Sequence, residues 1–274
     1  MFVTRFAPSP TGRLHKGHAF SALTAFEAAR AAKGRFLLRI EDIDATRCRP
    51  EYEAAILDDL AWLGLDWETP VRRQSDHLDD YAAALRTLAE RGLLYRCFRT
   101  RREIAEAIES APHGAMEAFR GGPLPAREDA ARVAAGEPYA WRLSLEAAAR
   151  ALGGFEHLRF TEEGDGQIAA RPELGGDVVL ARKDVGVAYH LAVVVDDALQ
   201  GVTHVIRGRD LFEATHVQRL LQALLDLPVP TYRHHRLITG PDGKRFAKRD
   251  RSETLQNLRE GGLTPEALRR ELGF

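Results

Sequence analysis

Only two cysteines, Cys48 and Cys97, occur in the 274 residues, with two methionines and three tryptophans. Two thiols make no disulfide framework, which excludes the stapled secreted scaffolds. No charge sign prevails, since 39 basic side chains face 40 acidic ones. Bulk charge therefore gives no sign of nucleic-acid binding, and any such contact must use local patches. No stretch is long and apolar enough to span a bilayer, and the N-terminus lacks the order of a signal peptide. The expectation is a cytoplasmic chain with no membrane partner. Internal repeats and low-complexity tracts are also missing. At 45% hydrophobic content the length supports one large or two modest domains.

Against this plain background stands one dense segment, Arg5-Phe-Ala-Pro-Ser-Pro-Thr-Gly-Arg-Leu-His-Lys-Gly-His18. It follows an apolar strand-like start, is broken by Pro8 and Pro10, and precedes an Ala-rich amphipathic run over 19–33, a β-loop-α order. His15 and His18 then fall at a helix N-terminus, where free N–H groups and the dipole favour phosphate, Gly17 allows close approach, and imidazoles donate to a developing pyrophosphate. A second strand over 34–40 ends in Glu41-Asp42-Ile-Asp44, putting carboxylates at the carboxyl edge where open parallel sheets bind ligands. Helices are expected over 51–63 and 76–91, and Thr100-x-x-Glu103 is a capping box opening another. Periodicity breaks down over 114–127. Strand-like pieces follow at 139–143 and 177–184, then an apolar run over 187–195 closing on Asp196-Asp197, a strand from Gly201 and a helix over 211–225.

The Arg5–His18 segment resembles, at every fixed position, the opening signature of the glutamate branch of class I aminoacyl-tRNA synthetases. That resemblance implies an α/β fold: a Rossmann-type nucleotide-binding domain split by an inserted α+β domain, with a short helical C-terminal segment. The implied division is 1–93 and 177–237 for the two catalytic halves, 94–176 for the insertion, and 238–274 for a cationic catalytic loop and helical end. Activity would be adenylate formation from ATP, with Mg²⁺ on the phosphates. The Tyr-His-Leu-Ala and Arg-Gly-x-Asp runs map Tyr189 and Arg207 onto the family's amino-acid pocket, completed by Arg5, Phe6, Ala7, Pro8, Ser9 and Glu41. Physics agrees with that set, because free glutamate needs guanidinium for its carboxylates and a carboxylate for its ammonium. Gly243-Lys-Arg-Phe-Ala-Lys-Arg249 resembles the second family signature, of the form K-L-S-K-[RQ]. Lys248 keeps the second lysine, while Arg245, Phe246 and Ala247 replace the first three positions. His15, His18 and Lys248 are thus the expected catalytic groups, and with Gly17 the expected ATP contacts.

Only 26 residues follow Lys248, little more than one capped helix from Thr264-Pro265 to Leu272, ended by Gly273. The large helical anticodon-binding region of full-length family members is not expected. This resembles the stand-alone branch that attaches glutamate to queuosine at the wobble position of tRNA(Asp), which implies glutamate, ATP and that tRNA as partners of a monomer. A truncated synthetase charging an acceptor end, a non-catalytic tRNA-binding relative, and another nucleotidyltransferase activating a small acid remain alternatives. Many of these relatives carry zinc in the insertion beginning Cys-x-Cys. Here the equivalent is Cys97-Phe98-Arg99, with no later cysteine, too few ligands for a tetrahedral site. No structural zinc is expected, and Phe98, Phe119, Trp141 and Phe155 are expected to pack together in its stead. Arg96, Arg99, Arg101, Arg102 and Arg127 are candidate phosphate contacts, equally readable as a solvated basic face.

Overall fold

A computed structural model describes residues 1–109, 118–182, 186–238 and 253–274. Strand β1 (Val3–Phe6) is buried at all four positions, as a parallel strand covered on both faces must be. Helix α1 (Lys16–Ala31) returns the chain to β2 (Arg35–Ile40), parallel to β1. Helix α2 (Pro50–Trp62) starts on a proline, whose missing N–H costs nothing in the first turn. Strand β3 (Arg72–Arg73) adds parallel to β2, and α3 (Leu78–Glu90) follows.

Next come β4 (Leu94–Cys97), α4 (Arg101–Glu109), α5 (Ala126–Ala134), β5 (Ala140–Leu143), α6 (Leu145–Leu152), β6 (Arg159–Glu162), β7 (Gly166–Ala169), β8 (Val179–Arg182) and β9 (Gly186–Val187). The chain ends with α7 (Tyr189–Leu199), β10 (His204–Gly208), α8 (Phe212–Leu224), β11 (Thr231–His235), α9 (Leu255–Glu260) and α10 (Pro265–Leu272). The expected capping box opens α4: Thr100 N–H donates to Glu103 Oε2 at 2.6 Å, and Glu103 N–H to Thr100 Oγ1 at 3.3 Å.

Strands β10 and β11 pair in parallel, and β10 starts beside β1, where the Thr203 N–H donates to Val3 O at 2.9 Å. The sheets β1-β2-β3 and β10-β11-β6-β7 meet side by side at β1 and β10, so the spatial order β3-β2-β1-β10-β11 reverses there, and ligand clefts form at such reversals. Strand membership departs from chain order at two places. Val179–Arg182 was expected to rejoin the nucleotide-binding sheet, yet it pairs antiparallel with β5 and β9 in the sheet β4-β5-β8-β9. The β6–β7 hairpin, from the span read as inserted, instead reaches the open edge of β11 through Glu162 and Tyr232.

Helices cover both faces of the parallel sheet. One core joins Val3, Leu37 and Val205 to side chains of α3, α7 and α8. The other joins Phe6, Leu38 and Ile206 to α1, α2, α9 and α10. Alternation along each strand sends neighbours to opposite faces, as the pairs Leu37/Leu38 and Val205/Ile206 show. Helix α7 is buried without a break from Leu191 to Asp197. A third, small core holds Tyr95, Cys97 and Phe119, with Ile104 against it. The expected aromatic cluster is therefore divided. Phe98 meets Tyr139 at 5.6 Å, Tyr139 meets Trp141 at 5.7 Å, and Phe155 packs on the α3–α7–α8 core.

The C-terminal residues add one helix beyond the expected one. Thr254 caps α9 and bridges to His15, while Leu255 N–H donates to Leu14 O at 2.9 Å. Helix α10 runs from Pro265 to a left-handed Gly273 and is tied to α1 through Lys16–Glu271 and Arg269–Glu27 ion pairs.

Candidate active site

The carboxyl ends of β1 and β10 open into a cleft of about 510 Å³. Its lining includes all eleven described candidates: Arg5, Phe6, Ala7, Pro8, Ser9, His15, Gly17, His18, Glu41, Tyr189 and Arg207. Lys248 lies outside the described residues. The stretches on either side of its segment both reach this cleft, Leu237 and Ile238 as lining and Thr254 as the bridge to His15.

His15 is the N-cap of α1. Its Nδ1 accepts from the Gly17 N–H at 3.1 Å, and its own N–H donates to His18 Nδ1 at 3.2 Å. This is a capping box built from two imidazoles, their ring centres 3.8 Å apart and their planes tilted by 33°. Because each Nδ1 accepts, each neutral ring carries its proton on Nε2. A Cβ at Gly17 would stand 3.0 Å from His15 Cε1, so the capping imidazole would have to give way to it.

Beneath the cleft lies a buried charge network. Arg5 donates to Asp197 Oδ1 through Nε at 2.9 Å and to Oδ2 through Nη2 at 3.4 Å. Arg39, whose side chain is 0% exposed, donates to the same Oδ1 at 2.7 Å and to Glu41 Oε1 at 3.1 Å. Asp196 accepts from Arg72 at 2.7 Å, Gln74 at 2.8 Å and the Tyr81 hydroxyl at 2.8 Å. Burial works against the charge of Asp197, but Arg5 and Arg39 outweigh it and hold its carboxyl below the usual range. Glu41 ends on the other side of that balance: burial raises its pKa despite Arg39 and Arg5. Burial also raises Tyr189.

Arg207 is held from behind. Its Nε donates to His234 Nε2 at 3.1 Å and its Nη2 to Thr215 Oγ1 at 2.7 Å and Leu211 O at 3.2 Å. Its guanidinium sits 5.4 Å from the Tyr232 ring centre. Cys48 is half-buried, with Sγ 3.9 Å from Ser9 Oγ. Cys97 is buried and Arg99 exposed. Among the described residues no group of three His, Cys, Asp or Glu could hold a metal.

The residues that sequence reasoning missed are the supporting ones: Arg39, Asp197, Glu162, His234 and Thr215. Asp196-Asp197 at the end of an apolar run was a usable signal, because buried carboxylates must find cations. His234 in Tyr-Arg-His-His carried no comparable mark.

A family model described as "tRNA synthetases class I (E and Q), catalytic domain" matches residues 1–273. The chain belongs to this class I synthetase family. A "Glutamyl-Q tRNA(Asp) synthetase" of Rhodobacter capsulatus is 50% identical, over 99% of this synthetase and 100% of the relative. One of Symbiobacterium thermophilum is 42% identical, over 100% and 86%. The crystal structure of a glutamate tRNA ligase from Elizabethkingia meningosepticum in complex with its amino acid superposes with a TM-score of 0.81 at 26% identity. This synthetase is covered completely in that superposition and spans 60% of the ligase chain. None of its described helices is long and apolar enough to cross a membrane.

Proposed function

We propose that this synthetase activates L-glutamate with ATP and transfers it to queuosine at the wobble position of tRNA(Asp). The convergence of guanidinium, carboxylate and paired imidazoles in one cleft at the strand reversal carries the reading; the names of its most similar relatives give the acceptor. With Nε and Nη2 of Arg5 engaged by Asp197, Nη1 is the nitrogen assigned to the glutamate side-chain carboxylate. Glu41 takes the ammonium, and Arg207 and Tyr189 complete the cage, with Phe6, Ala7, Pro8 and Ser9 as its wall.

The glutamate α-carboxylate oxygen attacks the ATP α-phosphorus, the bond from that phosphorus to the α,β-bridging oxygen breaks, and glutamyl-adenylate and pyrophosphate result. His15 and His18 donate from Nε2 to the charge developing on the phosphates, and Lys248 adds a cation from its loop. No protein nucleophile is used; positioning and charge stabilisation suffice. Mg²⁺ belongs to this reading as an ion carried on the ATP phosphates. A hydroxyl of the queuosine cyclopentenediol then attacks the activated carbonyl and AMP leaves.

The division into catalytic halves 1–93 and 177–237, an insertion 94–176 and a loop-and-helix end 238–274 is part of the same proposal as a division of the chain, with β8 lending its pairing to the insertion's sheet and the β6–β7 hairpin lending its own to β11. So are a monomeric state and a cytoplasmic setting. The insertion would receive the anticodon loop, with Arg96, Arg99, Arg101, Arg102 and Arg127 as phosphate candidates. ATP–pyrophosphate exchange without tRNA tests the activation step. Exchange is expected with L-glutamate and only poorly with L-glutamine or L-aspartate, because one lacks the charge and the other the length. A strict tRNA requirement would favour a truncated synthetase that charges acceptor ends.

A further inference from the structure

Arg207 depends on a neighbour whose own protonation state is fixed by a third residue. Nε2 of His234 can accept the Arg207 Nε–H only if it bears no proton, so the imidazole proton must sit on Nδ1. That nitrogen lies 2.7 Å from Glu162 Oε2, while Glu162 Oε1 accepts the His234 backbone N–H at 2.7 Å. The side chains are 0% and 4% exposed, so water does not compete for these bonds. Thr215 Oγ1 lies 3.2 Å from His234 Nε2 and 3.4 Å from Leu211 O. With Arg207 occupying the nitrogen lone pair, the threonine proton goes to the carbonyl. One assignment therefore satisfies the whole chain from Glu162 to Arg207.

We propose that Glu162 and His234 are positioning residues that select glutamate by fixing the Arg207 guanidinium, through a neutral imidazole locked in its Nδ1–H form. A cationic His234 would offer Arg207 no lone pair and would set two positive charges together. Burial first, then Arg207, pushes the imidazole pKa down, in keeping with that form. Glu162 comes from β6 and His234 from β11, so the short β6–β11 pairing is what brings the two together. The anchoring copies the arrangement at Arg5, where Asp197 holds the corresponding Nε and Nη2 edge.

The inference rests on Arg207 facing glutamate, and pyrophosphate exchange at varied glutamate and ATP separates the two claims. His234→Phe should raise the KM for glutamate at least about tenfold and leave kcat and the KM for ATP within about threefold. His234→Gln, whose amide oxygen can replace Nε2 as acceptor, should stay within about threefold of the parent. Glu162→Gln should raise the glutamate KM about threefold or more, because a neutral amide no longer enforces the Nδ1–H form. If His234 acts through Arg207, Arg207→Lys/His234→Phe should be no worse than Arg207→Lys alone. Additive losses, or a kcat and both KM values shifting together, would reduce His234 to a fold-supporting role and overturn the inference. An Arg207→Lys change without effect on the glutamate KM would remove Arg207 from the pocket and overturn the site reading itself. Should His234→Phe not fold, Glu162→Gln and His234→Gln carry the test, and equal glutamate KM values for both and the parent would refute it.

Discussion

Asp197→Asn separates the structural role of the buried network from its role in the cleft. The asparagine keeps the shape but removes the charge that faces Arg5 at 2.9 Å and the fully buried Arg39 at 2.7 Å. Removing one partner of a buried pair leaves an uncompensated charge and typically costs about 3–5 kcal/mol. Glu41 and Asp196 still face Arg39, so the lower end, about 3 kcal/mol, is expected. At roughly 2–4 °C per kcal/mol for a chain of this size, the thermal midpoint should fall by about 10 °C. Arg5 loses its charged anchor as well, so the glutamate KM in pyrophosphate exchange, measured well below the new midpoint, should rise about tenfold or more. Asp196→Asn is the control: its carboxylate is held by Arg72, Gln74 and Tyr81. It should destabilise similarly and leave the glutamate KM nearly unchanged. Equal KM effects of the two variants, or a loss of under about 1 kcal/mol for Asp197→Asn, would refute the reasoning.

Burial and Arg207 push the folded pKa of His234 down to about 3 from the usual 6.5. The unfolded chain alone takes up that proton, so stability is complete above pH 6.5 and falls as pH drops toward 3, by about 2 kcal/mol at pH 5. Urea midpoints should therefore be lower at pH 5 than at pH 7.5, with the gap narrowed in His234→Gln; an unchanged gap would contradict this. Lys248→Ala should slow activation about a hundredfold while glutamate binding changes little, and Lys244→Ala should matter less. Matching rate losses in stopped-flow measurements of the two would mean the second signature is misplaced. Cys97→Ser should retain fold and activation, and elemental analysis should find well under one zinc per chain. Stoichiometric zinc lost together with circular-dichroism signal on chelation would argue for a histidine or carboxylate ligand set instead.

The sequence was most legible where local chemistry decides the outcome. Proline stops, a helix N-terminus and strand-end carboxylates placed His15, His18 and Glu41, the family resemblance added Arg5, and all four line one cleft. Helix limits at α2, α3 and α8 were readable within about two residues from periodicity and caps. Sheet membership was not, because pairing is non-local. Nothing in Val179–Arg182 tells whether its partner is β5 or a strand of the parallel sheet, and nothing in Phe160 or Glu162 points to β11. The run 187–195 is apolar apart from Tyr189 and His190, and a pattern with no continuous polar face cannot distinguish a buried strand from the buried helix α7. Arg39 read as an ordinary strand residue, although it is the cation on which Asp197 and Glu41 converge. The anchoring of Arg207 by His234 and Glu162 joins residues 72 positions apart in the chain, a link that only the folded molecule exposes.

The central claim is tested most directly by attaching labelled L-glutamate to two otherwise identical preparations of tRNA(Asp), one carrying queuosine at the wobble position and one carrying guanosine. The account predicts ATP-dependent labelling of the queuosine form alone, with the label recovered on the wobble nucleotide after nuclease digestion. Labelling of both forms, or labelling confined to the 3′-terminal nucleotide, would contradict it.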